Sequence, residues 1–309
     1  MTDAGKGKTG EGAGKEEGLA GKPGEINGKT LLYGVIGHPI KHTLSPVLHN
    51  AVFAHRGVNA VYVPFEVLPD HLYGAIEGFK TLGIKGLNVT LPHKEQALHY
   101  IDTVASPLDK AIGAVNTLVM LDGRALGFNT DGPGFLYDLK DQFGFMPEGK
   151  SALVIGAGGS ARAVVFSLLE AGLQKLLIFN RTADRAKGLA EYAFQYFPDR
   201  DIEAVVSIDD VPAKTDLAVN CTSCGMSEQD PFPIDPDVLD KVKRVYDVIY
   251  APAETKLTIE ARRRGIPHSN GIGMLIHQAV AAHRLWFPDA DRTELYTVMR
   301  RAYEAWRLR

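Results

Sequence analysis

The stretch Ser151-Ala152-Leu153-Val154-Ile155-Gly156-Ala157-Gly158-Gly159-Ser160-Ala161-Arg162-Ala163 decides the fold. Apolar residues run into a glycine turn, and a helical pattern follows. Gly156, Gly158 and Ala161 fit the G-x-G-x-x-G/A dinucleotide fingerprint. Glycine serves two purposes there: the chain turns sharply from strand to helix, and the backbone comes close to a pyrophosphate at the helix N-terminus. An ordinary strand-to-helix turn satisfies the same pattern, so the surrounding sequence must decide.

Downstream, Leu176 to Phe179 reads as the next strand and Ala183 to Phe197 as the next helix. In NAD-binding folds a carboxylate roughly 20 residues past the first glycine binds the ribose 2′-hydroxyl. Here the strand ends in Asn180-Arg181-Thr182, with Arg185 one turn further on. A carboxylate would repel a 2′-phosphate, whereas a guanidinium binds one bidentately. The expected cofactor is therefore NADP, although Asp184 stands between the arginines and Arg181 taken singly reads as a solvated charge. Ala204 to Val206, Leu217 to Asn220 and Val245 to Ile249 continue as short strands. Thr255 to Arg264, Gly273 to Phe287 and Arg292 to Arg309 are helical. Cys221-Thr222-Ser223-Cys224 holds both cysteines of the chain. Zinc needs two further ligands and a thioredoxin-like pair precedes a helix, so this is read as a loop after a sheet strand, near the nicotinamide.

Upstream, Leu31 to Gly37 is a strand, and Ser45-Pro46 reads as the N-cap and first residue of a helix that ends at Gly57. Ala60 to Phe65 and Gly86 to Thr90 are strands around a helix at Leu72 to Phe79, and Leu91-Pro92-His93-Lys94 leads into another helix. Asp122-Gly123 joins Ala114–Leu121 to Arg124–Asn129 as a hairpin, and Gly132 to Gln142 is helical. Alternating strands and helices imply an α/β protein with mostly parallel sheets. Residues 1–28, rich in glycine, lysine and glutamate, are expected to be a disordered tail. Gly28-Lys29-Thr30 is no P-loop, because Pro23 stands where the first glycine belongs and a strand follows.

The 309 residues allow roughly two domains. A net charge of −3 gives no basic field for nucleic acid, and two cysteines make no disulfide scaffold. No apolar window approaches a membrane span and no signal-peptide core opens the chain, so a cytoplasmic location is expected. The ten histidines show no H-E-x-x-H spacing, and no metal is expected.

Hydride transfer from an alcohol needs a group to take the hydroxyl proton. Candidates cluster at strand C-termini: Asn88, Thr90 and Lys94 at one, Asn116-Thr117 and Asn129-Thr130-Asp131 at others. Taken singly, Lys94 reads as a solvated first-turn lysine and Asp131 as a helix N-cap. Asn116 interrupts an apolar run, which a purely structural role does not explain.

Together, Tyr33 to Gly37, Leu44-Ser45-Pro46, Asn88 to Lys94, Gly113 to Thr117 and Asn129 to Gly132 resemble the shikimate dehydrogenase family. The glycine turn, Asn180-Arg181-Thr182, Asn220 to Ser223, Asp247 to Tyr250 and Gly271 to Leu275 with Gln278 continue the resemblance, over about residues 31–287. It implies NADPH-dependent reduction of 3-dehydroshikimate to shikimate, in the route to chorismate and aromatic amino acids. It implies that Lys94 is the catalytic lysine, paired with Asp131. Thr43, Ser45 and Tyr250 would reach the substrate carboxylate, and Thr90, Asn116, Asp131 and Gln278 its ring hydroxyls. Gly156, Ala157, Gly158, Gly159, Ser160, Ala161, Asn180, Arg181, Thr182, Arg185, Thr222 and Val248 would hold NADP, with Gly271 and Met274 on the nicotinamide side. The resemblance also implies an inserted Rossmann-type domain at 132–270 between two parts of a substrate domain, 29–131 and 271–309.

Two departures stand out. Thr43 replaces the family's usual serine, which puts a methyl into a small pocket and leaves quinate breadth open. Ser160-Ala161 replaces the commoner alanine-serine. The alternatives are a quinate/shikimate dehydrogenase of wider range and a non-catalytic NADP- or shikimate-binding regulator. The expected partner is a small-molecule substrate, with neither nucleic acid nor membrane involved; a homodimer is admissible.

Overall fold

The computed structural model describes residues 26–309. The tail expected at 1–28 lies outside the described residues except for its last three positions. Those belong to a turn in which Thr30 N donates to Asn27 O at 3.0 Å. The first half runs β1 (Leu31–Gly37), α1 (Ser45–Arg56), β2 (Ala60–Glu66), α2 (Leu72–Thr81), β3 (Gly86–Val89), β4 (Thr103–Val104), α3 (Pro107–Ile112), β5 (Thr117–Leu121), β6 (Arg124–Phe128) and α4 (Asp131–Phe143). The second runs β7 (Ser151–Ile155), α5 (Gly159–Glu170), β8 (Lys175–Phe179), α6 (Ala183–Tyr196), β9 (Asp201–Val205), β10 (Leu217–Asn220), β11 (Val245–Asp247), α7 (Lys256–Arg263), β12 (His268–Ser269), α8 (Ile272–Trp286) and α9 (Arg292–Arg307).

The strands form two sheets. The second has the order β12-β11-β10-β7-β8-β9, parallel throughout. Numbered within that half, this is the 3-2-1-4-5-6 order of a doubly wound dinucleotide-binding sheet, whose switch point falls between its first and fourth strands. Those strands are β7 and β10, which carry the glycine turn and the Cys221-Thr222 loop at their C-terminal ends. The sheet is buried on both faces: Leu153, Val154, Leu177, Ile178 and Val219 are all inaccessible to solvent, as crossover helices on both sides require.

The first sheet has the order β2-β1-β3-β5-β6-β4. β2, β1 and β3 run parallel, and β5 reverses against β3. Asp122 (φ 51°) and Gly123 (φ 72°) turn the β5–β6 hairpin, the left-handed pair that matches strand twist in a two-residue loop.

Helix α8 brings the end of the chain back to this first sheet. Trp286 Nε1 donates to Leu118 O at 3.1 Å. Gly86 makes room for the indole, since a Cβ there would lie 2.1 Å from Trp286 Nε1. Leu48 and Val52 of α1, Ile276 and Val280 of α8, and Leu295 and Met299 of α9 share one core cluster and are all inaccessible to solvent. Each such side chain contributes about 1.5–3 kcal/mol of burial. α4 and α8 cross closely and antiparallel. A Cβ on Gly134 would lie 2.8 Å from Gln278 N, and one on Gly273 would lie 1.9 Å from Asp138 Oδ1.

Several local expectations are corrected. Ser45 is the first helical residue of α1 rather than its N-cap; Leu44 takes that place, with no side-chain cap bond. Asp131 likewise opens α4 behind Thr130. Lys94 does not lead into an α-helix but lies in a turn before a short 3-10 helix at Gln96–His99. The strand expected from Ala114 begins at Thr117, and the one expected at Ala204 begins at Asp201. α3, β4 and β12 were not expected, because six or two residues carry too little periodicity to read.

Behind α1 and α8, His49 and His283 are both fully buried. Their rings stack at 5.9 Å, and neither ring nitrogen of either residue has a hydrogen-bond partner among the described residues. Burial, helped by Arg56, lowers His283 to about 3. Burial also holds His49 well below the usual histidine range, with His283 adding to the effect. A histidine whose folded pKa is depressed takes its proton first in the unfolded chain, so stability falls as pH drops below about 6.5. His283→Phe is therefore expected to lose about 3 kcal/mol less stability than the wild type between pH 6.5 and pH 4. Denaturant unfolding across that range checks this; parallel curves for the two proteins would contradict it.

Candidate active site

The ends of the two sheets face each other at the glycine turn. Gly156 has φ +119°, and a Cβ there would lie 3.2 Å from Cys221 C and Thr222 Cγ2. Only glycine suits both the conformation and the space. Gly156 N donates to Phe179 O at 2.7 Å, which keys the turn to the end of β8. At Gly158 a Cβ would meet nothing within 4 Å, so the turn is open on that side. The N-terminus of α5 has no side-chain cap. Its first N–H groups, around Gly159, Ser160 and Ala161, are thus free to bind an anion. Ala157 packs against the core cluster behind them.

Asn180, Arg181, Thr182 and Arg185 gather at the end of β8. Asn180 Nδ2 donates to Thr182 O at 2.9 Å and Arg185 N to Thr182 O at 3.0 Å. Arg181 and Arg185 are exposed, and the nearby ion pair on α6 joins Lys187 to Glu191, leaving both guanidiniums free among the described residues. Asp184 is exposed as well. On the other side of the turn, Thr222 Oγ1 donates to Asn220 Oδ1 at 2.7 Å, and Asn220 Nδ2 to Asp247 Oδ1 at 3.0 Å. Burial pushes the Asp247 carboxyl up to about 6, partly offset by bonds from Thr255, Ile249 N and Asn220. Val248 N donates to Asn220 O at 3.0 Å. Gly271 passes so close that a Cβ would lie 2.0 Å from Val248 O. Met274 follows, buried against the same core. Cys221 and Cys224 are free thiols, and burial pushes the Cys221 thiol up, away from thiolate chemistry.

The polar centre lies across from this turn. Lys94 Nζ meets Asp131 Oδ2 at 2.6 Å, with side chains 14% and 8% exposed. Asn116 Nδ2 donates to Asp131 Oδ1 at 2.8 Å, to Thr130 Oγ1 at 2.9 Å and to Gln278 Oε1 at 3.3 Å. Thr130 N returns a bond to Asn116 Oδ1 at 2.7 Å. Both carboxylate oxygens of Asp131 are thus engaged, while Lys94 retains donors for a ligand. A Cβ at Gly159 would lie 3.8 Å from Lys94 Cβ and 3.7 Å from Ala114 Cβ. The glycine turn and the lysine loop are therefore close enough that a single added methyl would bring them into contact.

The remaining expected residues ring this centre. Thr43 Oγ1 donates to Ser45 Oγ at 3.3 Å at the start of α1. Thr90 follows β3, with its N–H on Ile36 O at 2.9 Å. Tyr250 is half-buried against the core beneath α1 and α8, and burial raises its phenol. Asn88, a candidate at the end of its strand, instead ties neighbouring strands together. It accepts from Tyr62 OH at 2.8 Å and donates to Asn116 O at 3.1 Å and Thr117 Oγ1 at 3.0 Å. Its signal is the one Asn116 gave: an amide inside the apolar strand Gly86–Val89.

Two family models match the chain: the shikimate dehydrogenase substrate-binding domain over residues 35–118, and shikimate/quinate 5-dehydrogenase over 139–224. A shikimate dehydrogenase (NADP(+)) from Caldanaerobacter subterraneus subsp. tengcongensis is 42% identical over 267 residues, 85% of this chain and 93% of its own. The chain belongs to the shikimate dehydrogenase family. Among solved members, the Thermus thermophilus shikimate 5-dehydrogenase in complex with NADP(H) and shikimate superposes with a TM-score of 0.78. It is 36% identical, covering 88% of this chain and 99% of that one. A 5-ketofructose reductase from a Gluconobacter strain is similar too, with a TM-score of 0.77 at 30% identity over 89% of this chain and 99% of its own. A scaffold of this shape thus occurs in proteins named for different substrates, so the fold alone does not fix the substrate.

Lys94→Ala is expected to lower kcat by about 10²–10⁴-fold with KM much less affected, as loss of a proton-transfer group does. Steady-state kinetics check this; a near-normal kcat would remove Lys94 from the chemistry.

Proposed function

We propose that the chain catalyses the reversible, NADP(H)-dependent interconversion of 3-dehydroshikimate and shikimate, a step toward chorismate and the aromatic amino acids. The observation that carries this reading is the Lys94–Asp131 pair at 2.6 Å beside the glycine turn. It sets a proton donor next to the site of a hydride donor.

The residues present fit the cofactor: a glycine turn with left-handed Gly156, an uncapped α5 N-terminus and two free arginines at the end of β8. Bound there, NADPH supplies the hydride. Gly156 to Ala161 would hold the pyrophosphate, and Asn180, Arg181, Thr182 and Arg185 the adenosine end with its 2′-phosphate. Thr222, Val248, Gly271 and Met274 would border the nicotinamide. Thr43, Ser45 and Tyr250 offer hydroxyls to the substrate carboxylate. Thr90, Asn116 and Gln278 meet the ring hydroxyls; hydroxyls and amides both donate and accept, as a polyol requires. In the reducing direction Lys94 Nζ would give its proton to the substrate carbonyl oxygen, and solvent would restore that proton. Asp131 orients the ammonium and is itself fixed by Asn116 at 2.8 Å.

In this reading residues 29–131 and 271–309 make the substrate-binding part, and 132–270 the NADP-binding part. The first sheet and the return of α8 to Leu118 O support the former, the β7–β12 sheet the latter. The reading extends to a cytoplasmic location and admits a homodimer.

Rates with shikimate and quinate, each against NADP and NAD, test the assignment. Fast turnover of shikimate with NADP supports it, quinate turnover of similar efficiency would widen it, and binding of both ligands without turnover would make the protein a regulator. Arg181→Ala is expected to raise KM for NADP about tenfold or more while barely changing that for NAD, as loss of a charge-assisted bond does. Equal losses for both cofactors would refute the 2′-phosphate role.

A further inference from the structure

Arg162 links the two halves of the molecule. It stands in the first turn of α5, where its backbone N–H donates to Gly158 O at 2.9 Å. The guanidinium leaves that helix and reaches the other half. Arg162 Nε donates to Ile112 O at 2.5 Å, at the C-terminus of α3. Gly113 closes α3 with φ +69°, and a Cβ there would lie 2.7 Å from Arg162 Nη2. Glycine is thus demanded by both the backbone and the arginine. On its other side, the guanidinium carbon stands 4.8 Å from the centre of the Tyr192 ring on α6. A helix C-terminal carbonyl and an aromatic face both attract a cation.

The segment that Arg162 grips is the one on which the polar centre is built. Val115 N donates to Lys94 O at 2.9 Å, and Ala114 O accepts from Asn129 Nδ2 at 2.9 Å. Asn116 Nδ2 holds Asp131 Oδ1 at 2.8 Å. Residues 112–116 therefore meet the cofactor helix at one end and Lys94 and Asp131 at the other.

We infer that Arg162 is a positioning residue that makes cofactor and substrate binding interdependent. A pyrophosphate on the α5 N-terminus and a polyhydroxy acid at Lys94–Asp131 favour the same arrangement of Ile112–Asn116, and the Arg162–Ile112 bond carries the preference between them. Linkage makes the effect reciprocal: each ligand tightens the other by one common factor. The inference rests on the cofactor site proposed above.

The test is calorimetric titration of shikimate into the full chain, with and without saturating NADPH. Both ligands are reduced, so no turnover intervenes. In the wild type, NADPH is expected to tighten shikimate at least about fivefold, and shikimate to tighten NADPH equally. Arg162→Met keeps the aliphatic stem and removes the guanidinium. Its coupling factor is expected to fall to within about twofold of unity, with each affinity measured alone within about threefold of wild type. Arg162→Lys keeps a charge without the two-sided geometry and should show an intermediate factor. Full coupling in Arg162→Met overturns the inference. So does weakened NADPH binding without shikimate while coupling persists, since that marks a direct phosphate ligand. If Arg162→Met does not fold, unchanged coupling in Arg162→Lys overturns it. A wild type that turns over shikimate but shows no coupling defeats this inference alone; a wild type that binds neither ligand defeats the proposed function.

Discussion

A buried ion pair is stable only when its remaining hydrogen-bonding capacity is met, because desolvation otherwise outweighs the attraction between the charges. The Lys94–Asp131 contact imposes that condition on the rest of the site. One Asp131 oxygen takes the ammonium and the other takes Asn116, which is in turn held by Thr130 and faces Gln278. Residues from the loops after β3, α3 and β6 and from α8 must therefore meet at one point. The polar amides in otherwise apolar stretches follow from this. Asn88 lies in a strand that is buried at every position, and its cost is offset by bonds to Tyr62, Asn116 and Thr117.

The second half of the fold was readable because its signals are local. A strand, a glycine turn and a helix succeed one another within 151–170, and the parallel order of β7 to β12 follows from repeating that unit. The first half was less so. β4 has two residues and α3 has six, and their places depend on pairing with β6 and on packing against α5. Ser45 and Asp131 show where residue type misleads. Both are good N-cap residues, yet their side chains lie near Thr43 and Lys94 instead of capping. Asn116 stood out as polar among apolar neighbours. Asn88 gave the same signal, but its partners are 26 to 29 residues away and no spacing rule links them.

The first half of the site also owes its shape to what is packed behind it. Tyr62, which bonds Asn88, lies flat on His49 with ring centres 4.5 Å apart. Tyr246, on β11, reaches Asp138 on α4 at 2.5 Å. Asp138 also accepts from the backbone of Met274, and burial raises its carboxyl. One buried side chain thus secures the start of α8 to α4 and to the second sheet together.

The crossing of α4 and α8 has a mechanical consequence. These two helices carry the chain out of the first sheet and back to it, and glycines at 134 and 273 seat them against each other at two successive levels. Two connections fused side by side act as one post. The sheets cannot slide past each other along these helices without breaking that seat. Gln278 sits on the post, against Gly134. Asp131, which opens α4, belongs to the post as well, and Lys94 is tied to it at 2.6 Å. The polar centre is thus anchored to the connection between the two sheets rather than to either sheet alone.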